Sequence, residues 1–371
     1  MARTADSRIV VLAAGGTGGH LFPAQALAEE LTRRGYEIHL MTDERVRDYG
    51  KSFPAVDTHV VPSATLSLGE PLKLPGRMIR LYAGYRQARA ILTALKPGAV
   101  VGFGGYPSFP PILAASRLRI PSCVHDQNAV MGRANRMLAG FADRVASSFP
   151  QLQGLPAKAA GKLTVTGNPV RDIALKKRAA PYPALKGAAA FNLLVFGGSQ
   201  GARFFSEIMP KVLAELPRAF RDRLRLTQQA RAEDMDWLRS ELDRAGISYE
   251  INPFFMNMPK RIAASHLVLC RSGASTIAEL GVIGRPAIMV PLPHALDNDQ
   301  LRNAESFAAA GAGWIRPQAT LEAKELASFI ARLADGDALA RAANAALAHG
   351  VPDAAKRLAD LTEELAGKSR T

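Results

Sequence analysis

The sequence predicts an α/β protein made of two Rossmann-like domains. Three observations predict it. A continuous apolar run feeds a glycine-rich turn near the start (residues 8–20, RIVVLAAGGTGGH). A second such run and turn stand near the middle (residues 192–202, NLLVFGGSQGA). Strand and helix patterns alternate after each. Gly15 and Gly197, which open the two turns, lie 182 residues apart, so the chain reads as two halves on one plan. Its 371 residues suit two domains, each long enough to bury its own core.

Each element follows from its own pattern. Residues 8–14 are apolar after Arg8, as in a strand buried on both faces of a parallel sheet. LFPAQALAEELTRRG then carries Leu27 and Leu31 four residues apart and ends on Gly35, which reads as a helix with a glycine cap. EIHLMT is the next strand and completes a βαβ unit. AVVGFGGYPS is a strand entering a loop, FPPILAASRLR a helix, IPSCVHDQN a strand entering a polar loop. RANRMLAGFADRVASS is a helix and short strand, and LTVTGNPVR closes the first half. The second half runs NLLVFGG (strand), SQGARFFSEIMPKVLAEL (helix), RLRLTQQ and ISYEINPF (strands), HLVLCRSG (strand), ASTIAELGVIG (helix), PAIMVPLP (strand) and DNDQLRNAESFAAAG (helix). An alanine-rich helical tail begins at Leu321. The boundary falls at GNPVR (167–171), before a polar stretch rich in Pro and Lys. The expected domains are 1–168, joined by the last helix at about 352–371, and 169–351.

Charge narrows the partners. Lys and Arg number 47 against 33 Asp and Glu, a formal +14, which favours an anionic partner: nucleic acid, an acidic membrane or a phosphorylated substrate. Aromatic residues are only 6% and no nucleic-acid-binding signature appears, so nucleic acid is not expected. The two cysteines, Cys123 and Cys270, sit in or beside apolar runs. They read as buried reduced thiols, too far apart for a zinc spacing. The first apolar run enters a glycine loop and reads as a strand, not a signal peptide. No stretch approaches the ~20 apolar residues that span a bilayer, so any membrane contact is expected to be peripheral.

Five motifs could carry chemistry. Gly15-Gly16-Thr17-Gly18-Gly19-His20 lets backbone approach an anion at a helix N-terminus, with a histidine where open α/β sheets bind ligands. Leu21 stands where a dinucleotide fingerprint needs glycine or alanine, although Asp43 ends the second strand as a ribose-binding acid would. Gly197-Gly198-Ser199-Gln200-Gly201-Ala202 follows the same logic. No acid follows the next strand (Leu226-Thr227-Gln228-Gln229), which favours a mononucleotide diphosphate. The lesser alternative for either turn is a bare strand-to-helix connection. Glu279, in the segment Cys270 to Glu279, either complements the dipole of its helix or grips two ribose hydroxyls. Val124-His125-Asp126-Gln127-Asn128 is a surface loop or a site, and Gly167-Asn168-Pro169-Val170-Arg171 a hinge with an arginine.

Taken as an ordered set, GGTGGH, GFGGYPS, HDQN, GNPVR, GGSQGA, RSGAST with Glu279, and Asp297-Asn298-Asp299-Gln300 resemble the MurG family of glucosaminyltransferases, from about Ile9 to about Gly350. The resemblance implies a GT-B architecture, two Rossmann-like domains facing across a cleft. It implies inverting transfer of N-acetylglucosamine from UDP-N-acetylglucosamine (UDP-GlcNAc) to lipid I, giving lipid II of bacterial peptidoglycan. By motif match Ser199 holds the diphosphate, and Glu279 the ribose. Ala274, Ser275, Thr276, Ile277 and Ala278 line the nucleotide, and Phe255 stands at the uracil position. Thr17, Gly18, Gly19, Asn128, Arg171 and Gln300 match further donor contacts. Asp299 stands where some members have a second glutamine. His20 is the candidate base, since an imidazole ordinarily titrates near pH ~6.5. Asp126 is the runner-up, where the family usually has glutamate. Helix N-termini and amides would stabilise the leaving UDP, so no essential metal or other cofactor is expected.

Lipid I carries a long chain, so a membrane surface is expected. In residues 72–92 Met78, Tyr82 and Tyr85 recur at i, i+4, i+7. Lys73, Arg77, Arg80, Arg86 and Arg89 surround them. This reads as an interfacial stretch for anionic lipids, or as a core-facing helix with a solvated basic face. The expected location is the cytoplasmic face of the inner membrane, with cell-wall synthesis or division proteins as further partners. The rival readings are a dinucleotide-dependent oxidoreductase and a GT-B enzyme with another acceptor.

Overall fold

The computed structural model describes residues 8–15, 17–44, 53–65, 71–185, 189–198, 202–293, 296–334 and 337–367. The chain divides into two compact units, Met1–Asp172 with Pro352–Thr371, and Ile173–Val351.

The first unit is built on a seven-stranded sheet: β1 (Ile9–Ala13), β2 (Glu37–Thr42), β3 (Asp57–Val60), β4 (Ala99–Gly102), β5 (Ser122–Asp126), β6 (Arg144–Ser147) and β7 (Leu163–Val165). All pairings are parallel, in the order β3-β2-β1-β4-β5-β6-β7. The run that reads as doubly buried is so: Val10 and Leu12 enter the core on one face of the sheet, Val11 and Ala13 the core on the other. Helix α1 (Gly18–Arg33) covers the first face through Leu27 and Leu31, and α2 (Leu74–Leu95) and α3 (Phe109–Leu118) cover the second through Leu92 and Ile112. The last helix, Ala354–Gly367, places Leu358 and Leu361 in the α1 core, and Arg34 pairs with Asp360 and Glu363, both at 2.6 Å.

The second unit repeats the winding with β8 (Phe191–Phe196), β9 (Leu224–Gln229), β10 (Ser248–Asn252), β11 (Leu267–Cys270), β12 (Ala287–Met289) and β13 (Gly313–Ile315), in the order β10-β9-β8-β11-β12-β13. One glycine pair shapes it. A Cβ on Gly350 would meet the Gly281 carbonyl carbon at 2.4 Å, so the helices Ala274–Ile283 and Ala338–His349 approach backbone to backbone.

Two differences from the sequence reading have local causes. Helix α1 starts at Gly18 rather than Leu21, because Thr17 takes the extended cap conformation (φ −138°, ψ 162°) and Gly18, Gly19 and His20 form the first turn. The contacts divide after Asp172, four residues beyond the expected boundary. Val170 is buried, the Asp172 N–H donates to the Glu29 carboxylate (2.9 Å), and Arg33 pairs with the Asp172 side chain.

Candidate active site

In each sheet the strand order reverses at the first strand: β1 lies between β2 and β4, and β8 between β9 and β11. Open α/β sheets bind ligands beyond the carboxyl ends of strands at such a reversal. The sequence-marked motifs fall there.

In the first unit the ends of β1, β4 and β5 bring three loops together. Thr17, Gly18 and Gly19 form the positive end of the 16-residue helix α1. The His20 ring lies against Gly104 and Gly105, both at positive φ (89° and 68°). A Cβ on Gly104 would stand 3.3 Å from His20 Cε1, so only glycine lets this loop lie on the imidazole. His20 Nδ1 is 3.0 Å from Gln127 Oε1, across 107 residues of sequence. Gln127 Nε2 in turn is 3.0 Å from His125 Nδ1 and 3.2 Å from the His125 carbonyl. His125 Nε2 is 3.0 Å from the Gly167 carbonyl. His125 is fully buried, and burial pushes its imidazolium down to about 4, against a smaller upward pull from the Gly167 carbonyl.

Asp126 is also buried, but its work is inward. Its carboxylate accepts from the Asn128 N–H (3.1 Å), the Gly132 N–H (2.9 Å) and Asn135 Nδ2 (2.9 Å). Burial pushes its carboxyl up, and these bonds and the nearby His20 pull the other way. Both oxygens of this alternative candidate base hold the 126–135 loop, so the carboxylate braces that loop. Asn128, half-buried, sits in the loop so braced. Arg171 is brought to α1, its guanidinium carbon 3.7 Å from the centre of the Phe22 ring.

In the second unit β8 runs into Gly197 and Gly198, the latter at φ 92°. Ser199, expected at the diphosphate, lies outside the described residues. β11 runs into Arg271-Ser272-Gly273 and the helix Ala274–Ile283. Buried Arg271 donates to the carbonyls of Val290 (3.0 Å) and Pro291 (3.1 Å). Ser272 Oγ donates to the Gln300 carbonyl (2.8 Å), and Gln300 Oε1 accepts from the Leu292 N–H (3.0 Å), so Gln300 is drawn to the β11 turn. Glu279 is buried at the sixth helical position, beyond the first turn where a dipole effect acts. Ser275, Thr276 and Ala278 are half-buried. Ala274 and Ile277 are buried, and Ile277, at 3% exposure, packs inward. The Phe255 ring is likewise buried, with the Arg261 guanidinium 4.0 Å from its centre, while Phe254 and Met256 beside it are exposed.

The basic stretch is the helix α2, preceded by Lys73. Its inner face is Leu81, Gly84, Ala88 and Leu92. Leu72, Met78, Ile79 and Tyr82 are exposed, from 56% to 96%, beside exposed Lys73, Arg80, Arg86 and Arg89 and half-buried Arg77. Tyr85 departs from the expected outward stripe: it leans on the core, its ring 6.3 Å from that of Tyr82. A groove of about 490 Å³ is lined by Leu72, Lys73, Arg77 and Arg80 among others. No helix among the described residues is long and apolar enough to cross a membrane.

Cys123 and Cys270 are buried and free, and burial pushes the Cys123 thiol up to about 12. Among the described residues metal-type ligand atoms cluster at His39, Asp57 and His59, on β2 and β3. Gln127, His125, Asn135 and the Gly104-Gly105 pair were not singled out as individual site residues by sequence. The signal for His125, Gln127 and the glycine pair was present in the HDQN and GFGGYPS runs, where polar or glycine residues end apolar strands; Asn135 lies outside both.

Comparison with known proteins agrees along the whole chain. Residues 10–147 match the glycosyltransferase family 28 N-terminal domain, and residues 192–358 its C-terminal domain. A protein of Mesorhizobium japonicum is 51% identical over 97% of this chain and 96% of its own. It is named UDP-N-acetylglucosamine–N-acetylmuramyl-(pentapeptide) pyrophosphoryl-undecaprenol N-acetylglucosamine transferase. One of Rhizobium meliloti with the same name is 51% identical over 98% of this chain and 97% of its own. The crystal structure of Acinetobacter baumannii MurG superposes with a TM-score of 0.75 at 28% identity, covering 96% of this chain and 99% of that one. The kitacinnamycin glycotransferase, at 19% identity and a TM-score of 0.70 over 96% of this chain and 98% of that one, shares the fold. With both sheets wound alike and both halves matched, the chain has the two-domain GT-B fold and belongs to glycosyltransferase family 28, among the MurG proteins.

Proposed function

We propose that this chain transfers N-acetylglucosamine from UDP-GlcNAc, with inversion, to the C4 hydroxyl of the N-acetylmuramyl sugar of undecaprenyl-pyrophosphoryl-MurNAc-pentapeptide (lipid I), giving lipid II for peptidoglycan. The observation that carries it is the 51% identity, over 97% of the chain, to a relative named for that reaction.

The second unit binds the donor. Glu279 takes the ribose hydroxyls, Gln300 touches the sugar, and the amides of the Gly197-Gly198 turn and of Ala274 to Thr276 face the diphosphate. The first unit supplies the base. As the acceptor oxygen bonds to C1 of the sugar and the bond from C1 to the phosphate oxygen breaks, His20 takes the hydroxyl proton. The electron pair leaves with UDP, whose charge meets the helix N-terminus and preorganised amides. No divalent ion is needed in this scheme. The exposed apolar residues of α2 and their arginines rest on anionic lipid at the cytoplasmic face of the inner membrane, where the acceptor lies. Proteins of cell-wall synthesis or division are further partners there.

The test is transfer of sugar label from UDP-GlcNAc to a short-chain lipid I analogue with EDTA present. Transfer is expected from wild type. His20→Ala should lose ~10²-fold or more in kcat while still binding UDP, the range of a positioned general base. A wild-type protein that binds UDP and transfers nothing to lipid I would point to another acceptor. Transfer abolished by EDTA would overturn the metal-free scheme.

A further inference from the structure

The imidazole of His20 can carry its single neutral proton on either ring nitrogen, and only one choice makes a useful base. A line of hydrogen bonds inside the first unit decides which. It begins at the Gly167 carbonyl, which only accepts. His125 Nε2, 3.0 Å away, therefore carries the hydrogen. His125 is fully buried and its imidazolium is suppressed to about 4, so near neutral pH its Nδ1 is a lone pair. Gln127 faces that lone pair (3.0 Å) and the His125 carbonyl (3.2 Å) with one end of its amide. Two acceptors at one end require the NH₂ there, because a flipped amide would set oxygen against both. Oxygen Oε1 is then the end 3.0 Å from His20 Nδ1, so Nδ1 must donate.

We propose that Gln127 and His125 are positioning residues that lock His20 in its Nδ1–H tautomer, leaving the lone pair on Nε2 to take the acceptor proton. The proposal rests on His20 being the base. It assigns work to two residues that touch His20 or each other rather than substrate. The relay ends at Gly167, in a backbone conformation (φ 81°) that favours glycine. Asn135 Nδ2 bonds the same His125 carbonyl at 3.0 Å and so helps hold the ring that orients Gln127. When Nε2 takes the proton, the Nδ1–H bond to Oε1 persists.

The test reads the tautomer directly. In the full-length protein labelled with ¹⁵N-histidine, two-bond and three-bond ¹H–¹⁵N correlations should show His20 with a protonated Nδ1 and an unprotonated Nε2. Gln127→Met, of similar length without the hydrogen bonds, should mix the tautomers. It should lower kcat about 10-fold or more, part of the range a positioned base supplies, with KM for UDP-GlcNAc unchanged. Gln127→Glu keeps an acceptor opposite Nδ1, while its other oxygen, facing His125 Nδ1 and the His125 carbonyl, must carry a proton. In that neutral form it should retain the tautomer and more activity than the Met variant. Wild-type His20 protonated at Nε2, or a Gln127→Met protein with wild-type tautomer and kcat, would overturn the lock. The stated tautomer together with a fully active His20→Ala protein would instead support the lock and remove the base role on which its purpose rests.

Discussion

The two sheets wind the same way and open on turns of similar composition, yet they use buried polar groups differently. At the reversal of the first sheet, side chains link to one another as well as to backbone: His20 to Gln127, Gln127 to His125, Asn135 to Asp126. At the reversal of the second, side chains bond mostly to carbonyls: Arg271 to Val290 and Pro291, Ser272 to Gln300, with Gln318 Oε1 as a further acceptor for Arg271. In the proposed scheme the first arrangement sets the protonation and aim of one imidazole. The second stiffens the backbone turn ahead of the helix Ala274–Ile283. A shared fold thus sets where a ligand sits, while the side-chain network sets what each half can do with it.

Acid should break the comparison most strongly, because it acts on the first unit's network. The folded-state value of His125, about 4, lies below the ordinary ~6.5 of an unfolded histidine, so the unfolded chain takes the proton first. Stability present above pH ~6.5 is therefore lost as pH falls toward ~4, by up to about 3 kcal/mol. Asp126, shifted upward by burial, offsets part of this at the acid end, because the folded state there binds a proton more tightly than the unfolded chain. Melting midpoints measured between pH 7 and pH 4 should fall more steeply for wild type than for His125→Gln. Equal slopes would assign the acid sensitivity to other groups.

Glu279→Gln should produce the next largest effect and separate the two sites. Weakening charge-assisted bonds worth about 1.5–3 kcal/mol should reduce UDP affinity about 10- to 100-fold, with a smaller change in kcat. Calorimetry with UDP reads the first and single-turnover transfer the second. A variant with normal UDP binding and a collapsed kcat would move Glu279 from ligand grip to chemistry. The smallest expected effect lies outside both turns. Arg86→Gln and Arg89→Gln on the exposed face of α2 should each weaken binding to anionic vesicles roughly five-fold. Neutral vesicles should show no such loss, and added salt should diminish it. Unchanged binding would return that face to ordinary solvated surface.

Legibility followed the range of the interaction that decided each feature. β1 was readable because residues 10–13 are buried in sequence order, alternating between two cores. Glu279 was placed on its helix, and its position past the first turn weakens the dipole explanation. Tyr85 and Tyr82 look alike in a helical stripe, but their different leans depend on what packs beneath, and likewise Ile277 beside Thr276. Asp126 read as a candidate base because a polar loop at a strand end carries that possibility. Its three donors come from as far as Asn135 on the following helix, and no pattern in HDQN announces them.

The sequence by itself determined the two-unit α/β plan, the order of its elements and the location of both glycine-rich turns. Those features rest on apolar runs, glycines at turns and helix caps, which act over a few residues. Only the tertiary structure decided which polar side chains meet and which backbone groups they hold. The β1, β4 and β5 pairing brings residues 20, 104 and 127 side by side, and the proton position on His20 follows from an acceptor at Gly167 three hydrogen bonds away. A hydrogen bond requires contact within about 3 Å, and across such sequence distances only the packed chain sets that contact.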